Sequence, residues 1–275
     1  MKKKFVLAFI VCIGVCVASL CGCGSTGADE AADGADSGEA ATTQADDGAW
    51  KAAYLEVLQG DQDMIEAYTR EDVPGTVALN DLNGDGTPEL LYFVRDDAQM
   101  FPYMKIWTFA DGSTQQISYH KAVADDSYSD LPVDALYDYE VQGGTSYIVF
   151  KTKDGNLQMS SFTFGAENSP GATSTYKMDG SELTETLYFG FVDSFLNSML
   201  EQPEDLNITY SKDGKEIYED EYMELLGSCS ENLEEVIFAT KMPDGVMEID
   251  PLWLAAEGKT SAGMTYDEAV QKLGE

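Results

Sequence analysis

Residues 174–189, Ser-Thr-Tyr-Lys-Met-Asp-Gly-Ser-Glu-Leu-Thr-Glu-Thr-Leu-Tyr-Phe, contain the clearest hairpin signal of the chain. Two short segments rich in apolar residues, 174–178 and 182–189, flank the pair Asp179-Gly180. An Asp-Gly pair readily adopts the positive φ angles of a tight hairpin turn, and alternation suits strands that bury one face. This stretch therefore predicts two antiparallel strands joined by a tight turn.

Similar patterns recur elsewhere in the middle of the chain. In each case two short apolar segments flank a polar connection: 77–79 with 90–94, 103–109 with 115–119, and 146–151 with 157–164. Short apolar runs separated by Gly, Asp and Asn are typical of an antiparallel meander. A break near residues 165–172 can separate two subdomains, or the hairpins on either side of it can share one sheet.

Helical spacing appears before and after this meander. The first helical segment begins at Trp50 and is interrupted at Gly60, and a strand is expected at 206–210. Later helices are expected at 191–200, 219–226, 231–239 and 266–273, the last with a capping box formed by Thr265 and Glu268. Together these elements predict an α+β fold with an N-terminal helix, an antiparallel β meander with hairpins, and C-terminal helices, all within residues 49–275.

The chain begins with three lysines, an apolar run from Phe5 to Leu20, and then Gly22-Cys23. A basic start, a short apolar core and a small residue before the cleavage point are typical of a signal peptide. The segment resembles the lipobox signal of bacterial lipoproteins. That resemblance implies that residues 1–22 are removed and that Cys23 is lipidated. It also implies a protein anchored in the membrane, on the outer face of the cytoplasmic membrane or at the cell surface.

Residues 23–48 follow Cys23 and contain small and acidic residues without a large apolar side chain. Such a segment buries too little apolar surface to fold, so it predicts a disordered acidic tether. Four cysteines lie at or before position 23, so Cys229 alone remains in the folded part and is expected to be a buried apolar residue.

The formal net charge is −34 at pH 7. Nucleic-acid binding depends on Lys and Arg side chains that neutralise phosphates, so this composition argues against a nucleic-acid partner. Charge repulsion between copies favours a monomer. Divalent cations, basic partners and neutral sugars remain compatible with the charge.

Oxygen-bearing side chains alternate in the connection Asp81-Leu82-Asn83-Gly84-Asp85-Gly86-Thr87-Pro88-Glu89. Calcium prefers six to eight oxygen ligands, and the side chains of Asp81, Asn83 and Asp85 provide them at loop positions 1, 3 and 5. The backbone carbonyl of Thr87 and the side chain of Glu89 follow at positions 7 and 9. A metal-free hairpin turn is the alternative, although a turn does not require so many oxygen ligands.

This loop resembles the calcium loops of EF-hands and dockerins, with one departure: position 12, which holds a bidentate Glu in an EF-hand, is Tyr92. Because strands rather than helices are expected on both sides, the loop is more similar to the strand–loop–strand sites of integrin-type propeller blades. The resemblance covers only residues 76–95 and implies no propeller. With only three carboxylates and no Glu at position 12, the loop is expected to bind a structural Ca²⁺ with a Kd of about 10⁻⁵ to 10⁻³ M.

Enzymatic signatures are scarce. His120 is the only histidine, and neither a Gly-x-Ser-x-Gly elbow nor a phosphate loop occurs. The sequence therefore favours a calcium-stabilised, lipid-anchored binding or accessory module, whose partner is a polysaccharide or a surface protein. The tryptophans Trp50, Trp107 and Trp253 are candidates for a sugar platform. The alternatives are a carboxylate-dependent surface hydrolase acting on glycans and a structural envelope protein.

Overall fold

Antiparallel β-sheet dominates the part of the chain that the structure describes. The computed structural model describes residues 48–68, 73, 75–95, 102–120, 136–137, 145–163, 169–193, 208–240 and 251–275. The described residues all belong to one compact unit, Gln44–Glu275. The predicted signal peptide, Cys23 and almost the whole tether lie outside the described residues.

The first sheet contains the strands that flank the predicted calcium loop. Its order is β1-β2-β3-β4, and the short strand β6 pairs with β3. The strands are β1 (Val77–Asn80), β2 (Glu89–Val94), β3 (Tyr103–Ala110), β4 (Ser113–Gln116) and β6 (Leu136–Tyr137). All of these pairs are antiparallel.

The second sheet has the order β12-β11-β10-β9-β8-β7-β13, with β5 added parallel to β10. Its strands are β5 (Ser118–His120), β7 (Thr145–Thr152), β8 (Leu157–Thr163), β9 (Ser169–Asp179), β10 (Glu182–Asp193), β11 (Ile208–Lys212), β12 (Lys215–Ile217) and β13 (Leu233–Ala239). Residues 174–178 and 182–189 do form the predicted hairpin, as parts of β9 and β10. The hairpins on either side of the suspected break at 165–172 share this sheet.

Five helices are described: α1 (Ala49–Gly60), α2 (Gln62–Ala67), α3 (Glu219–Asn232), α4 (Pro251–Ala256) and α5 (Tyr266–Gly274). The predicted capping box of α5 is present, because Thr265 and Glu268 exchange side-chain and backbone hydrogen bonds. Within the described residues, no helix is long and apolar enough to cross a membrane.

Three apolar clusters order these elements into four layers. The central cluster lies between the two sheets and includes Leu91, Phe93, Tyr147 and Phe238. The second lies between the first sheet and helices α1, α2 and α5. The third lies between the second sheet and helices α3 and α4. Each sheet therefore buries both faces, which explains why β2 is buried along its whole length.

The predicted α+β fold class is wrong. The described chain is mostly antiparallel β-sheet in two packed sheets, and its helices are few and short. The prediction gave too much weight to helical spacing in segments that form strands. Two sheets packed face to face supply the central core, and the helices only cover the outer faces.

Residues 231–239 were expected to be helical, but helix α3 ends at Asn232 and β13 occupies Leu233–Ala239. The run Val236-Ile237-Phe238 is buried against β7, and a short apolar run fits a buried strand as well as a helix. In the expected helix 191–200, the described residues 191–193 continue β10. Strand β11 lies at Ile208–Lys212, two residues beyond the strand expected at 206–210.

Candidate metal site in the β1–β2 connection

The predicted calcium loop connects β1 to β2 at one end of the first sheet. The strand register pairs Asn80 with Glu89, directly before and at the end of the loop. Cross-strand partners project to the same face, so both side chains lie on the face that packs against the second sheet. The loop therefore closes the space between the two sheets at this end.

Two carboxylates fix the backbone of the loop. The backbone N–H groups of Gly84 and Gly86 donate to Asp81 Oδ1 and Oδ2, at 2.7 Å and 3.1 Å. The N–H of Thr87 donates to Asp85 Oδ1 at 2.7 Å. Gly84 and Gly86 have φ angles of 77° and 89°, which residues with a Cβ atom rarely adopt. The sequence thus folds the loop around its own acidic side chains.

Glu89 is a buried carboxylate. Its residue is 1 % exposed, and it accepts hydrogen bonds from the N–H of Leu82 at 2.7 Å and the hydroxyl of Thr108 at 3.1 Å. The pKa of Glu89 is raised to about 7, chiefly by burial and to a smaller extent by the charges of Asp85 and Asp81, while the Leu82 and Thr108 hydrogen bonds oppose the rise. A positive partner would therefore stabilise the ionised form of Glu89.

The amide of Asn83 lies between two of these carboxylates. Its Nδ2 donates to Asp85 Oδ2 and to Glu89 Oε1, each at 3.0 Å, and its Oδ1 accepts from the N–H of Asp85 at 2.8 Å. The nitrogen of a neutral amide thus separates Asp85 from Glu89. To ligate a cation through Oδ1, the Asn83 side chain must turn over.

Asn80 carries an orphaned acceptor beside this network. Its Nδ2 donates to Glu235 Oε2 at 2.8 Å, while its Oδ1 is buried without a hydrogen-bond partner among the described residues. The residue is 5 % exposed, and exchanging its N and O atoms would place the oxygen against the Glu235 carboxylate. A buried oxygen next to the loop therefore lacks the donor or cation that buried acceptors normally have.

The second sheet also reaches the loop. Lys151 on β7 donates from Nζ to the backbone oxygen of Asp81, and its register partner is Glu235 on β13. The lysine neutralises part of the negative charge here, but it bonds a carbonyl group and not the Asp81 carboxylate. The loop is thus held from both sheets.

The donor chemistry of the loop fits calcium, which takes carboxylate, amide and carbonyl oxygens in flexible geometry. The three carboxylates do not form a compact cluster: among the described residues, no group of three or more His, Cys, Asp or Glu side chains could hold a metal. Asn83 and the Thr87 carbonyl are needed to complete a ligand set with Asp81, Asp85 and Glu89.

Other candidate residues have separate locations. Cys229 is buried, as expected, and Gln158 Nε2 lies 2.6 Å from its sulfur. His120 is exposed, and its Nε2 lies 3.9 Å from Glu182 Oε1. Trp50 and Trp107 pack on the outer face of the first sheet, whereas Trp253 is buried on the outer face of the second. The three tryptophans therefore do not form one platform.

Sequence reasoning missed Asn80, Lys151 and Thr108, which surround the loop. Asn80 directly precedes Asp81 and lies across from Glu89 in the strand register. It would have been recognised as a neighbour of the site if that register had been known from the sequence. Lys151 is distant from the loop in the sequence, and no sequence pattern indicated that it contacts the loop. Comparisons with protein-family models, with curated proteins and with solved structures find no match to this chain.

Proposed function

We propose that this protein is a calcium-stabilised, lipid-anchored surface protein that acts as a binding module. Asp81, Asn83, Asp85, the Thr87 carbonyl and Glu89 hold the ion, and the lipid on Cys23 holds the chain at the membrane. The calcium supplies the positive charge that the loop lacks and fixes the end of β1 to the start of β2. Its role is structural.

The observation that carries the proposal is the unbalanced polar network at the buried end of the loop. Glu89 is a buried carboxylate next to two others, and the neighbouring Asn80 Oδ1 has no partner among the described residues. Buried polar groups without partners are costly in a folded protein. A divalent cation in the loop compensates the carboxylates and offers its hydration shell to the orphaned oxygen.

Thermal unfolding of the full-length protein in detergent, in EDTA and across a calcium titration, tests the metal site. Calcium at a hundredfold its Kd stabilises a single site by about 2.7 kcal/mol. For a chain of this size, we expect a rise in Tm of about 5–10 °C. Asp85→Ala should remove the rise by deleting a ligand.

Asp179→Ala is the matched control, because Asp179 is also an exposed Asp before a glycine, at the end of β9 where the chain turns into β10. It should retain the calcium response. An equal response in the wild-type protein and in Asp85→Ala would refute the metal site.

The anchor is tested separately with Cys23→Ser. The thiol is the group that accepts the lipid in the lipobox resemblance, so serine should prevent both lipidation and removal of residues 1–22. Intact mass and partition into a detergent phase measure the two effects. A wild-type chain that starts after residue 23 without lipid would contradict the anchor.

A further inference from the structure

The outer face of the first sheet carries a groove on the side opposite the second sheet. Its volume is about 360 Å³, and it lies between helix α1 and the β3–β4 hairpin. That volume is near the lower end of the range of small-molecule sites, roughly 300–1,000 Å³. The lining residues are Ala53, Glu56, Val57, Gly60, Asp61, Trp107 and Thr114.

One wall of the groove is an oriented tryptophan. Trp107 is partly exposed, and its Nε1 donates to the hydroxyl of Tyr92 at 2.8 Å. The polar atom of the indole is therefore already bonded within the protein, and the exposed part of the side chain is apolar ring. Its neighbour on β2 is Leu90, which directly follows Glu89.

The other feature of the groove is a fixed carboxylate. Asp61 Oδ2 accepts from Tyr92 at 2.6 Å and from Lys105 Nζ at 2.7 Å. Both donors bind Oδ2, and within the described residues no hydrogen bond is made to Oδ1. The buried Tyr92 and the half-buried Lys105 hold this acceptor in place before any ligand arrives, which lowers the entropic cost of binding.

The charge balance distinguishes between ligands. The charge of Asp61 is already compensated by Lys105, whose side chain is 13 % exposed, so Asp61 itself has little net attraction for a cation. An anionic ligand is disfavoured by Glu56 at the exposed rim and by the net charge of −34. A neutral ligand with hydroxyl donors fits Asp61, because Lys105 balances the charge of the carboxylate while Oδ1 can still accept a hydrogen bond.

We propose that this groove binds a neutral sugar unit, with the apolar ring face against Trp107 and hydroxyl groups donating to Asp61. The inference rests on the proposed function, because it names the ligand of the proposed binding module. Ala53, Val57 and Gly60 provide the apolar floor, and Glu56 and Thr114 provide further polar partners at the rim.

Fluorine NMR of the fluorotryptophan-labelled full-length protein in detergent tests the groove. The chain has three tryptophans, so three signals are expected, and Trp107→Phe identifies one of them. The probes are cellobiose, maltose, chitobiose and mannobiose, with lysine methyl ester as a cationic comparison. We expect at least one sugar to shift the Trp107 signal saturably at millimolar concentration and to leave the other two signals unchanged.

Gly60→Met should fill the groove and leave the fold intact, because Gly60 lines the groove. A Cβ atom at Gly60 meets nothing within 4 Å, and the residue ends helix α1. The matched control is Gly227→Met in helix α3, where a Cβ atom also meets nothing within 4 Å. Gly60→Met should abolish the sugar-induced shift, and Gly227→Met should leave its midpoint within about twofold of the wild-type value.

Three results would overturn the proposal: no saturable shift with any of the sugars, a shift with lysine methyl ester alone, or a sugar response that persists in Gly60→Met. The calcium-dependent rise in Tm is measured on the same samples. If that rise is present while sugars fail to bind, the groove assignment fails and the calcium-stabilised module stands. If sugars bind without a calcium response, the groove stands and the metal site fails.

Discussion

The β1–β2 connection and the β9–β10 hairpin are both built from Asp and Gly, yet they differ in what surrounds them. The hairpin turns at Gly180-Ser181, between the paired residues Asp179 and Glu182, and Gly180 has a φ of 59° with nothing within 4 Å of its Cβ position. The loop has two glycines of positive φ as well, but it also contains a buried glutamate, and an orphaned asparagine oxygen lies beside it. A hairpin turn requires only a suitable backbone conformation. The carboxylates of the β1–β2 loop are not needed for that conformation, so a turn does not explain them.

The largest expected difference concerns pH. The folded protein holds the pKa of Glu89 at about 7, above the ordinary value of 4.5, so folding favours the protonated form. Without calcium, the contribution of this group to stability is therefore fully present below pH of about 4.5, is lost as pH rises from about 4.5 to about 7, and stays absent above that. The shift corresponds to about 3 kcal/mol. Calcium should cancel this loss, because it stabilises the ionised form.

Chemical denaturation in EDTA across this pH range measures the effect. Glu89→Gln should remove most of the decline, whereas Glu216→Gln, which changes an exposed carboxylate on β12, should retain it. A decline of equal size in Glu89→Gln and the wild-type protein would show that another group causes it.

An effect of intermediate size is expected from alanine substitutions that distinguish backbone strain from metal binding. Gly86 and Gly180 both have positive φ, and a Cβ atom at either meets nothing within 4 Å. Alanine at either position should cost about 1–2 kcal/mol without calcium, since only the backbone conformation is penalised. Only Gly86→Ala should also weaken the calcium response, because it distorts the loop that presents the ligands.

Calcium titrations of both alanine variants, followed by thermal unfolding, check this difference. Calcium responses reduced equally in Gly86→Ala and Gly180→Ala would mean that the two connections are equivalent, and the loop would be reduced to a turn.

The smallest effect is expected from magnesium. Mg²⁺ demands nearly octahedral geometry and releases its waters reluctantly, whereas the ligands proposed here include flexible side chains and a carbonyl group. At concentrations where calcium saturates the site, magnesium should raise stability by less than about 1 kcal/mol, as for a ligand near or below its Kd. Thermal unfolding in the two ions measures it. Equal stabilisation by both ions would point to nonspecific screening of the acidic surface.

Local features of the fold were predictable from the sequence because they depend on neighbouring residues. The β9–β10 hairpin, which turns one residue later than expected at Gly180-Ser181, and the capping box of Thr265 and Glu268 are two of them. The fold class was not predictable in the same way. Residues 233–239 form a strand because β7 pairs with them and both sheet faces are covered, and this partner lies some 80 residues away in the sequence.

The candidate site likewise combines local features that the sequence shows with features that depend on packing between distant segments. Alternating oxygen ligands at Asp81, Asn83 and Asp85 are visible in the sequence, and calcium binding there remains a prediction. The burial of Glu89, the orphaned oxygen of Asn80 and the contact from Lys151 follow from strand register and from the packing of the two sheets. The groove beside Trp107 is likewise assembled from helix α1 and two strands, so composition alone did not indicate it.

Calorimetric titration of the full-length protein in detergent with calcium tests the central claim most directly. We predict one calcium ion per chain, with a Kd of about 10⁻⁵ to 10⁻³ M. Asp85→Ala should abolish the binding, and Asp179→Ala should leave it unchanged. Absence of binding at millimolar calcium, or equal binding by the wild-type protein and Asp85→Ala, would contradict the assignment of the β1–β2 connection as a metal site.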